Sequence, residues 1–366
     1  MIACEAMKKN ICICGGGGLG HTVSGYLSSK GFSVNVLSNR ANLWSSELEI
    51  YDCKNRVIKG QLNIISDKPE DVIPNSDIII LCVPGYLIAE TLEKIKCYLK
   101  KEAYVGSVVS SSGFFFIGQD VLPMGTKMFG FQRVPFISRV KEYGKSAILS
   151  GYRTQLFLAI LNFENNGFNK MLEMMFDTPV RLLNHYLEAA LTNSNPILHP
   201  SRLYSLFKNY EEGEVFASEP YFYEEWDDDS SKILLACDNE FQQLISHFNI
   251  NKISTLLEHY ESSDLFSLTT KIRSLKPLHG MKAPMKKVLN GYIPDFSDRY
   301  FMEDIPYGML ILKILAEHLN VQTPMIDNIL LWAQKHLNEE YLYYDKLQLK
   351  VKKYIFDPYC FFENFL

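Results

Sequence analysis

Three glycines near the amino end, and one histidine set between two prolines, are the residues of this chain whose types and spacing suggest chemistry. Gly15, Gly17 and Gly20 fit Gly-x-Gly-x-x-Gly between an apolar run at residues 10–14 and a helical pattern at residues 18–30. In that context the first glycine makes a tight turn, the second lets a pyrophosphate approach the backbone, and the third lets helix pack closely on strand. The helix that follows offers unpaired N–H groups and the positive end of its dipole. The expected cofactor-binding set is Gly15, Gly17, Gly18, Leu19 and Gly20, extended by Ser38, Asn39 and Arg40 after the second strand and by Val83 and Pro84 after a later one. A carboxylate after the second strand would bond the ribose 2′-OH of NAD, whereas the guanidinium and hydroxyl found there suit a 2′-phosphate. NADP(H) is therefore favoured, and NAD(H) stays open.

The second set lies in the other half. His199 falls between Pro196 and Pro200, where a helix cannot run on smoothly, and such breaks place side chains at clefts. Residues 298–308 (DRYFMEDIPYG) gather Arg299, Glu303 and Asp304 beside Pro306 and Gly308. A histidine titrating near neutrality can give and take a proton beside a carbon that receives hydride. An adjacent carboxylate would fix its tautomer, and a guanidinium grips a substrate carboxylate bidentately. The structural alternatives are a helix N-cap for Asp304 and a surface ion pair for Arg299. His185, His279 and His318 read as structural or exposed. Residues 224–229 (EEWDDD) read as a solvated acidic loop or helix start, and no metal site is expected.

The elements that must position these residues follow from periodicity. Residues 10–14, 32–37, 77–84 and 103–110 read as buried strands alternating with helices at 18–30 and 86–100, the pattern of a doubly wound parallel sheet. Residues 145–183 carry two closely spaced strand candidates (SAILSGY and QLFLAIL), a helix and a last short strand, all expected to extend that sheet. Beyond residue 184 the period is helical at 187–191, 233–248, 253–260, 309–319 and 325–337. The expected fold is an α/β Rossmann-type doubly wound N-terminal domain, residues 1–185, followed by an all-α C-terminal domain, residues 186–366, the two meeting at a cleft. The aromatic tail at 341–365 reads as a core-capping element, with an apolar patch for a homodimer as the alternative.

Composition bounds the partners. With 366 residues, 47% hydrophobic and 22% charged, the chain is long enough for two cores. A net charge of -5 and no Lys/Arg cluster argue against nucleic acid and an anionic membrane surface, so small molecules are the expected partners. The eight cysteines show no Cys-x-x-Cys or zinc spacing, and residues 1–10 carry charges rather than an apolar leader, so a reducing cytoplasm is expected.

Four segments together resemble the octopine/nopaline, or opine, dehydrogenases. They are the turn at residues 15–21 (GGGGLGH), residues 131–145 (FQRVPFISRVKEYGK), residues 195–200 (NPILHP) and residues 299–308 (RYFMEDIPYG). The resemblance implies reductive joining of an amino acid to a 2-keto acid, with His199 as proton shuttle, Asp304 as its partner and Arg299 holding a substrate carboxylate. By analogy Gln132 and Arg133 line the substrate side, although Arg139 is an equal candidate. Where some members place a glutamine before Gly-Phe, this chain has Ser112 before Gly113 and Phe114. Two alternatives remain: a simple keto- or hydroxy-acid reductase related to ketopantoate reductase or glycerol-3-phosphate dehydrogenase, using Lys282, Lys286 or Lys287 as acid, and a non-catalytic dinucleotide sensor.

Overall fold

The computed structural model describes residues 9–251, 253–346 and 348–365. The leader reading and Cys4 fall on residues 1–8 and lie outside the described residues. The chain divides into one unit at residues 1–190 and a second at residues 191–366. The division falls after Ala190 where a boundary near 185 was expected, because the short Leu187–Ala190 helix still packs on a strand of the first unit.

The first unit is built on an eight-stranded sheet of order β12-β11-β8-β7-β6-β1-β2-β5. Its strands are β1 (Asn10–Cys14), β2 (Ser33–Leu37), β5 (Ile65–Ser66), β6 (Ile78–Leu81), β7 (Tyr104–Ser107), β8 (Lys127–Phe131), β11 (Leu156–Leu161) and β12 (Val180–Leu182). All pair in parallel except β8 with β11, where the direction reverses. β6 reads IIIL and is buried at every position, as a central parallel strand covered on both faces must be.

A second sheet was not expected. It runs β4-β3-β10-β9, with β3 (Glu47–Asp52), β4 (Val57–Gln61), β9 (Phe136–Glu142) and β10 (Ser146–Tyr152). β11 and β12 extend the main sheet as the sequence suggests, but β10 does not: it pairs in parallel with β3 and antiparallel with β9. The Gly18–Ser29 helix packs against strands of both sheets. Residues 20–28 are accordingly all buried, which a helix with a single covered face could not achieve. Two glycines make room, since a methyl on Gly25 would meet Ile50 and one on Gly60 would meet the Gly25 backbone.

The second unit is framed by the helices Asn195–Phe207, Asp228–Ile245, Leu310–His318 and Pro324–Leu337. The helical frame is as expected, but two hairpins interrupt it, Met285–Val288 with Gly291–Pro294 and Leu342–Asp345 with Gln348–Val351. The first turns at Leu289 and Asn290, and Gly291 follows with a φ of 145° that favours glycine. The aromatic tail caps the helices: Phe362 stacks on His318 at 4.0 Å and Phe361 meets Phe248. No described helix is long and apolar enough to cross a membrane.

One buried cation organises the loop before the Asp228–Ile245 helix. Arg202 is 1% exposed and donates to the carbonyls of Phe222 at 3.0 Å and Glu225 at 2.6 Å and to the Ser230 hydroxyl at 2.9 Å. The acidic run finishes the job, with Asp227 capping the helix through the Ser230 N–H and Glu225 accepting the Tyr221 N–H. Replacing Arg202 by Ala strands several buried acceptors, so it should destabilise the second unit by ~3 kcal/mol or more, read as a lower denaturant midpoint.

Candidate functional site

Two constellations emerge, one in each unit. In the first, β1 ends at Cys14 and the turn at residues 15–17 leads into the Gly18–Ser29 helix. Gly15 has a φ of 123°, and a Cβ there would strike the Cys82 carbonyl. Gly17 has nothing within 4 Å of its Cβ position, which leaves open space against the backbone. A Cβ on Gly20 would collide with the Gly15 carbonyl. The three glycines thus meet the three demands of a dinucleotide turn. Gly17 caps the helix with no side-chain bond, so its first amides keep their capacity for an anion.

A cavity of about 360 Å³ opens over this turn. Of the expected cofactor residues, Gly15, Gly17, Ser38, Asn39, Arg40, Val83 and Pro84 line it. Gly18 and Leu19 lie beneath: Gly18 passes the backbone of Ser138 and Arg139, and Leu19 packs on the hydrophobic core. Gly20 serves the packing of helix on turn. The residues present fit a nicotinamide dinucleotide.

The second sheet adds a wall the sequence reading missed. Tyr143, in the turn between β9 and β10, reaches into the cavity; its hydroxyl lies 3.2 Å from Ser38 Oγ and the Arg40 guanidinium sits 3.8 Å above its ring. Burial acts to raise the Tyr143 pKa, but hydrogen bonds with Ser38, Trp44 and Arg40, together with the Arg40 charge, hold it below the ordinary tyrosine value. His21 fastens this turn to the glycines. It stacks on Trp44 at 4.1 Å, its Nδ1–H donates to the Gly17 carbonyl at 2.9 Å, and its Nε2 accepts the Gly144 N–H at 2.7 Å. An amide only donates, so Nε2 carries no proton and the ring is neutral.

In the second unit, the Asn195–Phe207 helix carries Pro200 inside it and presents His199, which is 4% exposed. Asp304 stands where the short Arg299–Met302 helix gives way to a π-helical turn at Ile305–Met309. Gly308 in that turn passes so close to Pro196 that a methyl would collide, which draws the two segments together. His199 Nδ1 and Asp304 Oδ2 are 2.8 Å apart. Asp304 makes no helix cap; Asp298 fills that role through the Tyr300 N–H.

His199 has two further neighbours that sequence reasoning did not identify. The Tyr300 ring stacks on the imidazole at 4.3 Å, and the Tyr223 hydroxyl lies 2.9 Å from Nε2. Burial, reinforced by Tyr300 and other nearby groups, raises the Tyr223 pKa well above the usual value, so the phenol is protonated. Arg299 is exposed at the start of its helix, its guanidinium 5.4 Å from the Tyr300 ring.

Gln132 and Arg133 follow β8 in the first unit, where Gln132 Nε2 donates to the Glu188 carbonyl at 2.8 Å. Arg139 lies on β9, its backbone against Gly18. Lys286 pairs with Asp295 at 2.8 Å, Lys282 rests over the Tyr221 ring at 3.2 Å, and Lys287 is exposed. Among the described residues no group of His, Cys, Asp or Glu side chains could hold a metal ion.

Residues 182–337 match the family model described as NAD/NADP octopine/nopaline dehydrogenase, alpha-helical domain, and residues 11–109 match that of ketopantoate reductase PanE/ApbA. An octopine dehydrogenase from Pecten maximus is 29% identical over 365 residues, covering 90% of each chain. A solved octopine dehydrogenase described with NADH and L-arginine is 28% identical with a TM-score of 0.83, covering 94% of this chain and 93% of that one. Another, described with NADH and pyruvate, is 27% identical with a TM-score of 0.82 and the same coverage.

The His21 contact gives a pH prediction. Burial lowers its pKa from 6.5, only partly offset by the bond to Gly17, so the stabilisation it lends is complete above about 6.5 and is lost as pH falls through the depressed value. Dinucleotide affinity, measured by fluorescence titration, should therefore weaken on acidification, and His21→Gln should flatten that dependence.

Proposed function

We propose that this chain, which is similar to the octopine/nopaline dehydrogenases over both of its units, joins the amino group of an amino acid to a 2-keto acid by NAD(P)H-dependent reduction of their imine, or runs the reverse oxidation. The observation that carries this reading is the buried imidazole 2.8 Å from a carboxylate, with a tyrosine hydroxyl at its other nitrogen, in the first half of a helix that runs on through Pro200. When bound, the reduced nicotinamide supplies the hydride.

The residues of this chain do the rest. His199 takes the proton that must leave the amino group before it attacks the keto acid, and returns one as the imine is reduced. Asp304 holds Nδ1–H and stabilises the imidazolium. Arg299 grips a substrate carboxylate, and Gln132 and Arg133 serve the keto acid. Ser38 and Arg40 favour NADP(H), because the Arg40 guanidinium, 3.8 Å over the Tyr143 ring, and the Ser38 hydroxyl both line the cavity and suit a 2′-phosphate. We place the chemistry in a reducing cytoplasm, in keeping with the free thiols of Cys12, Cys14, Cys53, Cys82, Cys97 and Cys237.

The test is a matrix of amino acids against 2-keto acids with NADPH and NADH, followed by nicotinamide absorbance. Cofactor oxidation should require both substrates; a rate with keto acid alone, indifferent to any amine, would mark a simple reductase. His199→Ala should cost on the order of a hundredfold or more in turnover while dinucleotide binding survives. Arg40→Ala should reduce the preference for NADPH by roughly tenfold or more, the loss of about 1.4 kcal/mol or more from a charge-assisted contact. A wild-type preference for NADH would instead assign the ribose hydroxyl to Asp67, which also lines the cavity.

A further inference from the structure

Both nitrogens of His199 are engaged. Nδ1 faces Asp304, so a proton that leaves or enters the ring during turnover must pass through Nε2, and at Nε2 stands the Tyr223 hydroxyl. The imidazole is 4% exposed and Tyr223 5%, which leaves little room for water between them.

Resting on the acid–base role given to His199 above, we propose that Tyr223 is the proton-delivering residue of the reaction, relaying between His199 Nε2 and the substrate nitrogen. In the reductive direction Tyr223 passes its phenolic proton to the imine nitrogen as it takes the Nε2 proton of the imidazolium. The Nε2–H and phenolic O–H bonds break, a new phenolic O–H and the amine N–H form, and the hydride's electron pair makes the new C–H bond. The imidazole ends neutral, the tyrosine ends protonated, and no tyrosinate accumulates. The oxidative direction reverses every step.

Three features favour a relay over a side chain that swings aside. First, the loop is clamped: Arg202 holds the Phe222 and Glu225 carbonyls, and the Trp226 N–H closes on the Tyr223 carbonyl at 3.1 Å. Second, the ring is enclosed, with Phe222 at 5.0 Å and the imidazole at 6.5 Å between centroids. Third, apart from His199 itself the ionisable groups acting on the hydroxyl are Tyr300, Tyr260 and Asp304, none of them a cation, so the phenol keeps its proton until the imidazolium replaces it. On the far side, Tyr300 in turn interacts with Arg299. The nitrogen of an amino acid is separated from its carboxylate by a single carbon, so a carboxylate gripped by Arg299 carries the reacting nitrogen to this end of the chain of groups.

The experiment compares Tyr223→Phe with His199→Ala in the full-length enzyme. The relay requires that Tyr223→Phe lower kcat by on the order of a hundredfold while the KM of both substrates and NADPH affinity hold. The solvent-isotope proton inventory, bowed in the wild type because two protons move, should become linear in whatever rate remains. A ring-fluorinated tyrosine at 223, more acidic and nearly isosteric, should change kcat and its solvent isotope effect while both KM values hold, and it covers the case in which the phenylalanine variant folds poorly. Nitrogen NMR of the ligand-free protein should show Nε2 shifted in Tyr223→Phe and Nδ1 little changed. Turnover of Tyr223→Phe within about threefold of wild type, or a kcat and solvent isotope effect left unchanged by fluorotyrosine, would overturn the relay and leave Tyr223 a plug that substrate displaces. Turnover retained in His199→Ala would instead overturn the acid–base reading on which the relay stands.

Discussion

An imidazole taken out of water must have both nitrogens paired, and that requirement organises the second unit around His199. Leaving one nitrogen bare in a site 4% exposed would cost about 1–3 kcal/mol, so Asp304 and Tyr223 are as much conditions of burial as of chemistry. Each partner has to be delivered by an element that would not otherwise come near. The π-helical turn at Ile305–Met309, with Gly308 against Pro196, brings the carboxylate; the Arg202 clamp brings the phenol. Arg202 lies one helical turn beyond His199 on the same helix, so a single helix presents the imidazole and anchors the loop that completes it.

The first unit solves a comparable problem with backbone instead of side chains. A pyrophosphate needs bare amides, and bare amides need a turn too tight and too open for side chains. The glycines permit the turn but do not by themselves hold it still. The second sheet does, by setting the turn at residues 142–145 over it, with His21 bonded to both and Tyr143 continuing into the cavity beside Arg40. The helix after the glycines is therefore enclosed by two sheets, unlike a helix that packs on one sheet alone.

Local signals made the frame legible and non-local ones hid the rest. Strands β1, β2, β6, β7, β11 and β12 announced themselves as apolar runs between turn residues, and the Gly15, Gly17 and Gly20 spacing carries its own geometry. β3 and β9 are half-buried and interrupted by charges (ELEIYD and FISRVKE), so neither period nor hydrophobicity marked them strongly. β10 read as a strand, but its partner β3 lies far back in the chain, and pairing at that range leaves no periodic trace. The same holds for the site. His199, Asp304 and Arg299 stood out through prolines and a family pattern, whereas Tyr223 is one of several aromatics in YFYEEW and is singled out only by where the Arg202 clamp holds it.

The chain holds two buried histidines in nearly matching settings, and the difference between them separates structure from chemistry. In both, Nδ1–H meets an oxygen that can only accept: the Gly17 carbonyl for His21, the Asp304 carboxylate for His199. At Nε2 they part. His21 receives an amide N–H, which can only donate, so a proton placed there would face another proton and force the turn apart. His199 receives a hydroxyl, which can donate to the neutral ring and, after rotating, accept from the charged one. The first arrangement fits a ring locked in one protonation state, and the second can hold either state without any heavy atom having to move, as the acid–base role proposed for His199 requires.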